Sequence, residues 1–439
     1  MDLSLTTVGV IGILLFLLLM FLQMPIGVAI LLAGFVGLWL TRGMPAALSA
    51  TAIIIPRAAS TYLLSVIPLF IWMGMLASHS GVSMRAYSAM HKWLGHFRGG
   101  LAIATVGAGA AFGAVCGNNV ACAATMQAVA LPEMRKYGYS DGLSLGSIAA
   151  AGNLGIMIPP SGAFVVYGFL TEESIGALFM AGVLPGLLIT FLFWLQIYMT
   201  CRLNPRLATQ GPATSWKERL IATKDLAGIL VTFIIVIGGI YLGIFTPTEG
   251  ASIGVAAVIV IGLINRQLTW RGFLNSLVET GEVTAMVLLL IFGAMVFSSF
   301  TTTTEIAFRL ADLIATLAVN RYAILAAILV LYILAGLFMD IFAVLIISLP
   351  IVYPIVVNLG FDPIQFGVLS VLCIMIGCIT PPFGILVFAI YGMAKKEVPM
   401  YTIFRGCLPF LGTMIVSLVI LVAFPQISLF LPNIALPYR

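Results

Sequence analysis

Two sets of residues in this sequence have the chemistry to hold a hard cation in apolar surroundings. The first is Gly117, Asn118, Gly152 and Asn153; the second is Gly336, Asp340, Gly377 and Thr380. A hard cation takes oxygen ligands, which amide side chains, a carboxylate, a hydroxyl and unpaired backbone carbonyls supply. Asp340 stands inside a long apolar run, where a carboxylate costs about 2.5–3.5 kcal/mol if that run enters a bilayer. It is either a structural acid hydrogen-bonded within its own segment or part of a cation site. An anion needs the opposite polarity, the exposed N–H groups of a helix N-terminus. Asn119, Pro160, Ser161 and Gly162, with Pro382, Phe383 and Gly384, are placed to present such groups. Ser161 has the alternative of acting as a plain helix cap. No arginine stands among them to select one carboxylate over another.

These residues cluster where two apolar stretches are interrupted. Residues 151–170 read AGNLGIMIPPSGAFVVYGFL, and residues 377–384 read GCITPPFG. Proline lacks the N–H and crowds the preceding turn, so each Pro-Pro pair splits its span into two half-helices. In hydrocarbon the freed carbonyls and amides persist only where protein buries them or where they line a cavity. Half-helix ends of this kind are where secondary transporters hold solute and coupling ion.

Of the 439 residues, 62% are hydrophobic and 8% charged, with a mean hydropathy of +1.18. Soluble domains carry about 25% charged residues, so the composition is that of an integral membrane protein. Long apolar runs, rather than alternating ten-residue strands, predict an all-α polytopic chain that lies in a lipid bilayer. The net charge of +5 sits in short loops between apolar spans and is no nucleic-acid footprint. The N-terminus lacks a basic leader with a small-residue cleavage site and reads as a retained first span. The six cysteines contain no CxxC and read as small hydrophobes. His79, His91 and His96 share one loop without a glutamate at HExxH spacing. They predict an amphipathic interfacial arm rather than a metal or catalytic site.

Displacing the chain by 222 residues superposes Pro25 on Pro247, Pro132 on Pro354, Gly138 on Gly360, and Gly155 on Gly377. Pro159-Pro160 then fall on Pro381-Pro382, and Gly162 on Gly384. The sequence thus divides into repeat one (1–201), a cytoplasmic linker (202–225) and repeat two (226–439). In repeat one, spans near 5–22, 26–40 and 60–78 precede an arm (79–98), a hairpin (99–134), a broken span (143–170) and a span at 176–200. In repeat two, spans near 226–245, 250–264 and 279–300 precede an arm (301–321), a hairpin (322–357), a broken span (364–394) and a span at 407–431. Each hairpin arm is near the lower length for crossing. Read as re-entrant hairpins, they leave five crossings per repeat and invert the second copy. Both termini are then outside, and fifteen of the twenty Lys and Arg face inward, leaving Arg42, Arg57, Arg309, Arg321 and Arg439 outside.

The segments GNLGIMIPPSGAFVVYGFLTEESIGALFMAGVLPGLL (152–188), GIFTPTEGASIG (243–254), GLFMDIFAVLII (336–347) and GCITPPFGILVF (377–388) resemble the large, DctM-like membrane subunit of tripartite ATP-independent periplasmic (TRAP) transporters. The resemblance covers nearly the whole chain. It implies an elevator-type, sodium-coupled importer of organic acids such as C4-dicarboxylates or sialic acid in the bacterial inner membrane, with no cofactor beyond Na+. It implies two partners as well, a small four-helix membrane subunit and a periplasmic substrate-binding protein. The first hairpin tip departs from the family, which favours serine there; this chain has Cys116-Gly117-Asn118-Asn119-Val120, whose amide oxygens can replace hydroxyls. A stand-alone di- or tricarboxylate carrier of related inverted design, coupled to sodium or protons, is the alternative. An enzyme is not expected, because the spans lack a GxxxD dyad, HExxH, Ser–His or Ser–Lys pair. The binding protein is expected to dock near Glu172, Glu173, Glu249 and Asp362.

Overall fold

A computed structural model describes residues 4–210, 214–306, 309, 320–394 and 397–435. The first half of the chain contains α1 (Leu5–Phe21), α2 (Ile26–Arg42), α3 (Met44–Ala59), α4 (Val66–His79), α5 (Val82–Leu94), α6 (Gly100–Cys116), α7 (Asn119–Lys136), α8 (Asp141–Met157), α9 (Gly162–Thr171) and α10 (Ile175–Leu203). The rest contains α11 (Trp216–Tyr241), α12 (Pro247–Ile264), α13 (Trp270–Thr303), α14 (Arg321–Phe338), α15 (Ile341–Asn358), α16 (Pro363–Ile379), α17 (Ile385–Met393), α18 (Met400–Ala423) and α19 (Gln426–Ala435). Among the described residues, nine stretches are long and apolar enough to cross a membrane, and the one extended pairing is an isolated bridge between Arg98 and Gln210.

Local signals set the helix boundaries, and many recur 222 residues apart. Asn118 caps α7 through a 3.0 Å bond from the Ala121 amide, and Asp340 caps α15 through a 3.1 Å bond from Phe342. Ser140 and Asp362 cap the two broken spans, and Gly138 and Gly360 take the left-handed backbone conformation that ends the preceding helices. Both Pro-Pro bonds are cis.

Four boundaries differ from the sequence expectation. Helix α3 occupies residues the spans left empty; it is a short helix with Pro45 near its start and Pro56 inside. Helix α11 begins within the linker, because a capping box between Ser215 and Glu218 starts the helix before the apolar run. Helix α13 begins at Trp270, capped by Thr269, so it outlasts the hydrocarbon thickness. The last span divides at Pro425 into α18 and α19. Most of the expected second arm, residues 307–308 and 310–319, lies outside the described residues, as do Lys395, Lys396 and Arg439.

Helix packing crosses between the halves. Helix α2 packs on α13 and α12 on α4; α8 packs on α18 and α16 on α10; α9 packs on α15 and α17 on α7. Hydrocarbon solvates apolar helices well, so their association depends on close approach of small residues. At the α2–α13 seam a Cβ added to Gly34 would fall 2.6 Å from the Phe297 amide nitrogen, and one added to Gly293 would fall 2.7 Å from the Gly27 carbonyl.

The two broken spans lie antiparallel. Arg135, at the end of α7, bonds Asp141 at the start of the first broken span (3.1 Å) and Glu397 beyond the end of the second (2.8 Å). At the opposite end, Tyr167 near the close of the first broken span donates to the carbonyl of Pro363, where the second begins (2.6 Å).

Candidate functional site: two hairpin tips against two broken helices

Both hairpin tips stop at the level of the breaks. Gly117 has φ +63°, which a side chain would strain, and a Cβ there would stand 3.0 Å from the Pro160 carbonyl. Cβ atoms added to Gly152 and Gly155 would fall 3.0 Å and 3.1 Å from the carbonyls of Asn119 and Asn118. Glycine at these positions lets the tip's backbone oxygens lie directly on the broken helix. A cavity of about 10 Å³ opens between Gly117, Asn118, Gly162 and Phe342, beneath Phe70, Ile71 and Met75 of α4. That is room for about one water-sized particle.

Of the first cation set, the structure brings Gly117, Asn118 and Gly152 to this tip and turns Asn153 away. The Asn153 side chain is fully buried and donates to the Met375 carbonyl of the second broken span at 3.0 Å. Its Oδ1 is buried without a hydrogen-bond partner. Asn118 Oδ1 serves as the α7 cap, leaving backbone carbonyls as the tip's remaining oxygens.

Around the first break, Ser161 does not act as a side-chain helix cap. Its hydroxyl donates to the Ile156 carbonyl freed by the prolines (2.6 Å) and makes no side-chain cap to α9. The leading amides of α9 therefore point into the break without a capping side chain, which is the polarity an anion requires. Pro160, Ser161 and Gly162 are all buried. Asn119, also buried, reaches across the molecule to the Cys378 sulfur at 3.9 Å.

The second tip is built on the same plan but is more open. A Cβ on Gly336 would lie 2.9 Å from the Ile374 carbonyl, and one on Gly377 would lie 2.5 Å from the Ile333 carbonyl. Asp340, half-buried, caps α15, and Thr380 donates to the Ile376 carbonyl at 2.6 Å. Gly384 (φ +51°) sits where a Cβ would meet the carbonyls of Thr380 and Cys378, at 3.1 and 3.2 Å. Pro381, Pro382 and Phe383 are exposed, and the Phe383 ring packs on Phe338 with centroids 4.5 Å apart. One break is sealed, and its counterpart is uncovered.

Besides Met375, two further residues outside the sequence-derived sets join the halves. Phe342 of the second hairpin packs 3.1 Å from where a Gly162 Cβ would be, and Cys378 meets Asn119. Both stand within apolar runs that give no sign of contact with the opposite repeat.

The loop histidines separate: His79 pairs with Glu279 (3.1 Å), His96 lies against Arg219 (3.3 Å), and His91 packs between Tyr87 and Tyr137. Among the described residues no three His, Cys, Asp or Glu side chains converge as a metal-binding group. On the expected docking face, Glu172 and Glu173 line two adjoining cavities of about 590 and 650 Å³, the second also bordered by Arg57. Glu173 accepts from the Tyr353 hydroxyl, while Glu249 and Asp362 serve as helix-start partners.

Residues 13–427 match the family model described as the DctM component of the tripartite ATP-independent periplasmic transporter. The chain is 36% identical over 390 residues to the C4-dicarboxylate TRAP transporter large permease protein DctM of Pseudomonas aeruginosa, covering 89% of this chain and 90% of that one. It is 31% identical over 421 residues to the sialic acid TRAP transporter large permease protein SiaM of Vibrio cholerae, covering 96% and 97%. Its fold is similar to that of the YdaH transporter of Alcanivorax borkumensis, with a TM-score of 0.62 at 17% identity over 90% of each chain.

Proposed function

Since this chain belongs to the DctM component family of tripartite ATP-independent periplasmic transporters, we propose that it is the large permease subunit of such a system in a bacterial inner membrane. It imports an organic acid by sodium-coupled secondary transport. A separate small four-helix membrane subunit and a periplasmic binding protein that delivers the solute complete the machine. Relatives named for C4-dicarboxylates, sialic acid, isethionate and ectoine match at 31–36% identity, which supports an organic acid as substrate without choosing among them.

The observation that carries this reading is the pairing of each hairpin tip with its own broken helix. Sodium is cargo here, held in repeat one by oxygens of Gly117, Asn118 and Gly152 and in repeat two by Asp340, Thr380 and the carbonyls near Gly336 and Gly377. Asn153 acts from behind, tying the two broken spans together. Half-helix C-terminal ends, which carry partial negative charge, favour the cation, and the uncapped start of α9 favours the anion. Binding protein contact falls on the face with Glu172 and Glu173.

The repeats are read as inverted copies, with both termini periplasmic. The antiparallel broken spans and the crosswise helix pairs support this. Hairpins and broken spans form the moving body of an elevator, and α1, α2, α4 and α11–α13 contribute the scaffold. The sealed first break and open second break are what a carrier exposing one side at a time requires.

Sodium-gradient-driven uptake into proteoliposomes holding both membrane subunits tests the proposal. Uptake is expected only with the co-encoded binding protein outside. Uptake that proceeds without it supports the stand-alone carrier instead.

A further inference from the structure

A separate polar pocket lies where arm helix α5 meets α11 and α12. It is a cavity of about 180 Å³ whose polar lining is Arg85, Lys224, Asp225 and Asn265, with Val82, Ile229, Ile261 and Ile264 as its apolar wall. Its depth follows from the sequence of its walls. On α11 the polar run ends at Asp225 and the apolar run begins at Leu226; on α12 the apolar run ends at Ile264, before Asn265-Arg266. Both helices therefore pass from hydrocarbon to headgroups at the pocket.

Its charge is cationic. Arg85 reaches Asp225 at 3.5 Å, a loose pair with both side chains about one-third exposed. Lys224 adds a second cation. The arm helix starts here behind Gly81, which has no side chain to cap the first amides, so the positive end of its dipole adds to the two cations. Asp225 and the C-terminal end of α12 oppose an anion, and Arg266 follows immediately after that end. Ile264, which lines the pocket, is exposed, and so is Leu230, next along α11 to the lining Ile229, as acyl chains would require.

We propose that this pocket binds the headgroup of an anionic membrane phospholipid, with the phosphate on Lys224, Arg85 and the leading amides of α5 and the acyl chains along Ile264 and Leu230. The lipid fastens the start of the arm to the scaffold. The arm packs in turn on α6, the first half of the hairpin, so bilayer composition reaches the hairpin through it. The inference rests on the pocket alone and not on what the protein transports.

The test is native mass spectrometry of the intact membrane complex, released from vesicles of phosphatidylglycerol and phosphatidylcholine. Retained phosphatidylglycerol is expected on the unaltered protein, falling about tenfold with Lys224→Gln and again with Arg85→Gln, the scale of a direct hydrogen bond to a charged group. Lys217→Gln, on the same helix but outside the pocket, is expected to leave retention unchanged. Equal loss in Lys217→Gln would reduce the pocket to a diffuse basic surface and overturn the proposal. In lipid-free detergent, thermal protection by inorganic phosphate or glycerol phosphate matching that of phosphatidylglycerol would overturn it in favour of a soluble anion. Should Arg85→Gln fail to fold, Lys224→Gln carries the test alone.

Discussion

The Asn153 side chain donates a 3.0 Å hydrogen bond to the carbonyl of Met375, the residue 222 positions further along the chain. Each is the other's counterpart under the internal repeat, so the line relating the two broken spans passes between them. A residue that meets its own image is what the proposed inverted repeat requires. It also explains why Asn153 faces the opposite repeat rather than the nearby hairpin tip.

Asn153→Ala removes this tie and leaves a hole between two fully buried helices. A loss of about 1–3 kcal/mol is expected, the scale of a buried hydrogen bond with its packing. Thermal unfolding in detergent measures it, and an unchanged midpoint would mean the contact contributes nothing.

Gly377→Ala should damage the second hairpin. Its new methyl would stand 2.5 Å from the Ile333 carbonyl and 2.8 Å from the Gly336 Cα, both backbone. The helices must separate, at about 1–3 kcal/mol for overpacking. Gly412→Ala on α18 meets nothing within 4 Å and serves as the control, expected to be neutral or slightly stabilising. Comparable melting of the two variants would contradict the close packing.

Asp340→Asn keeps the shape of the second tip and removes its charge. The apparent sodium affinity of uptake is expected to fall roughly tenfold to a hundredfold, the scale of a contact to a charged group. Sodium dependence indistinguishable from the unaltered protein would leave Asp340 as a helix cap alone.

His91 gives the arm a pH dependence. Burial lowers its pKa below the ordinary imidazole value, with Glu133 opposing and Lys92 assisting. The unfolded chain then binds the proton more readily. Stability from this group is complete above the unfolded value of about 6.5 and is lost as pH falls toward the folded pKa. Unfolding midpoints between about pH 7.5 and 5.5 should decline with acid, and His91→Gln should flatten that slope. An identical slope in the variant would remove His91 as its source.

Membrane sidedness can be read from single cysteines at Lys136 and Gly360, because all six native cysteines are buried. An impermeant thiol reagent should label the two positions from opposite faces of oriented vesicles. Labelling from one face would dissolve the inverted pairing and the alternating access built on it.

The residue pattern by itself determined that the chain is helical and membrane-embedded and where its helices break. These features are legible because a bilayer permits few backbone solutions, and Gly and Pro mark where each is abandoned. The breaks at Pro159-Pro160 and Pro381-Pro382 follow from the prolines themselves, whereas the cap at Asn118 stands where the sequence suggested a cation ligand. Only the tertiary structure decided which faces meet: Asn153 toward Met375, Ser161 onto Ile156, Phe342 against Gly162, and Asn119 beside Cys378. It also decided that one break is buried and the other open. In helices apolar on every side, periodicity cannot tell a lipid-facing side chain from one packed on another helix, so direction enters only when the helices pack.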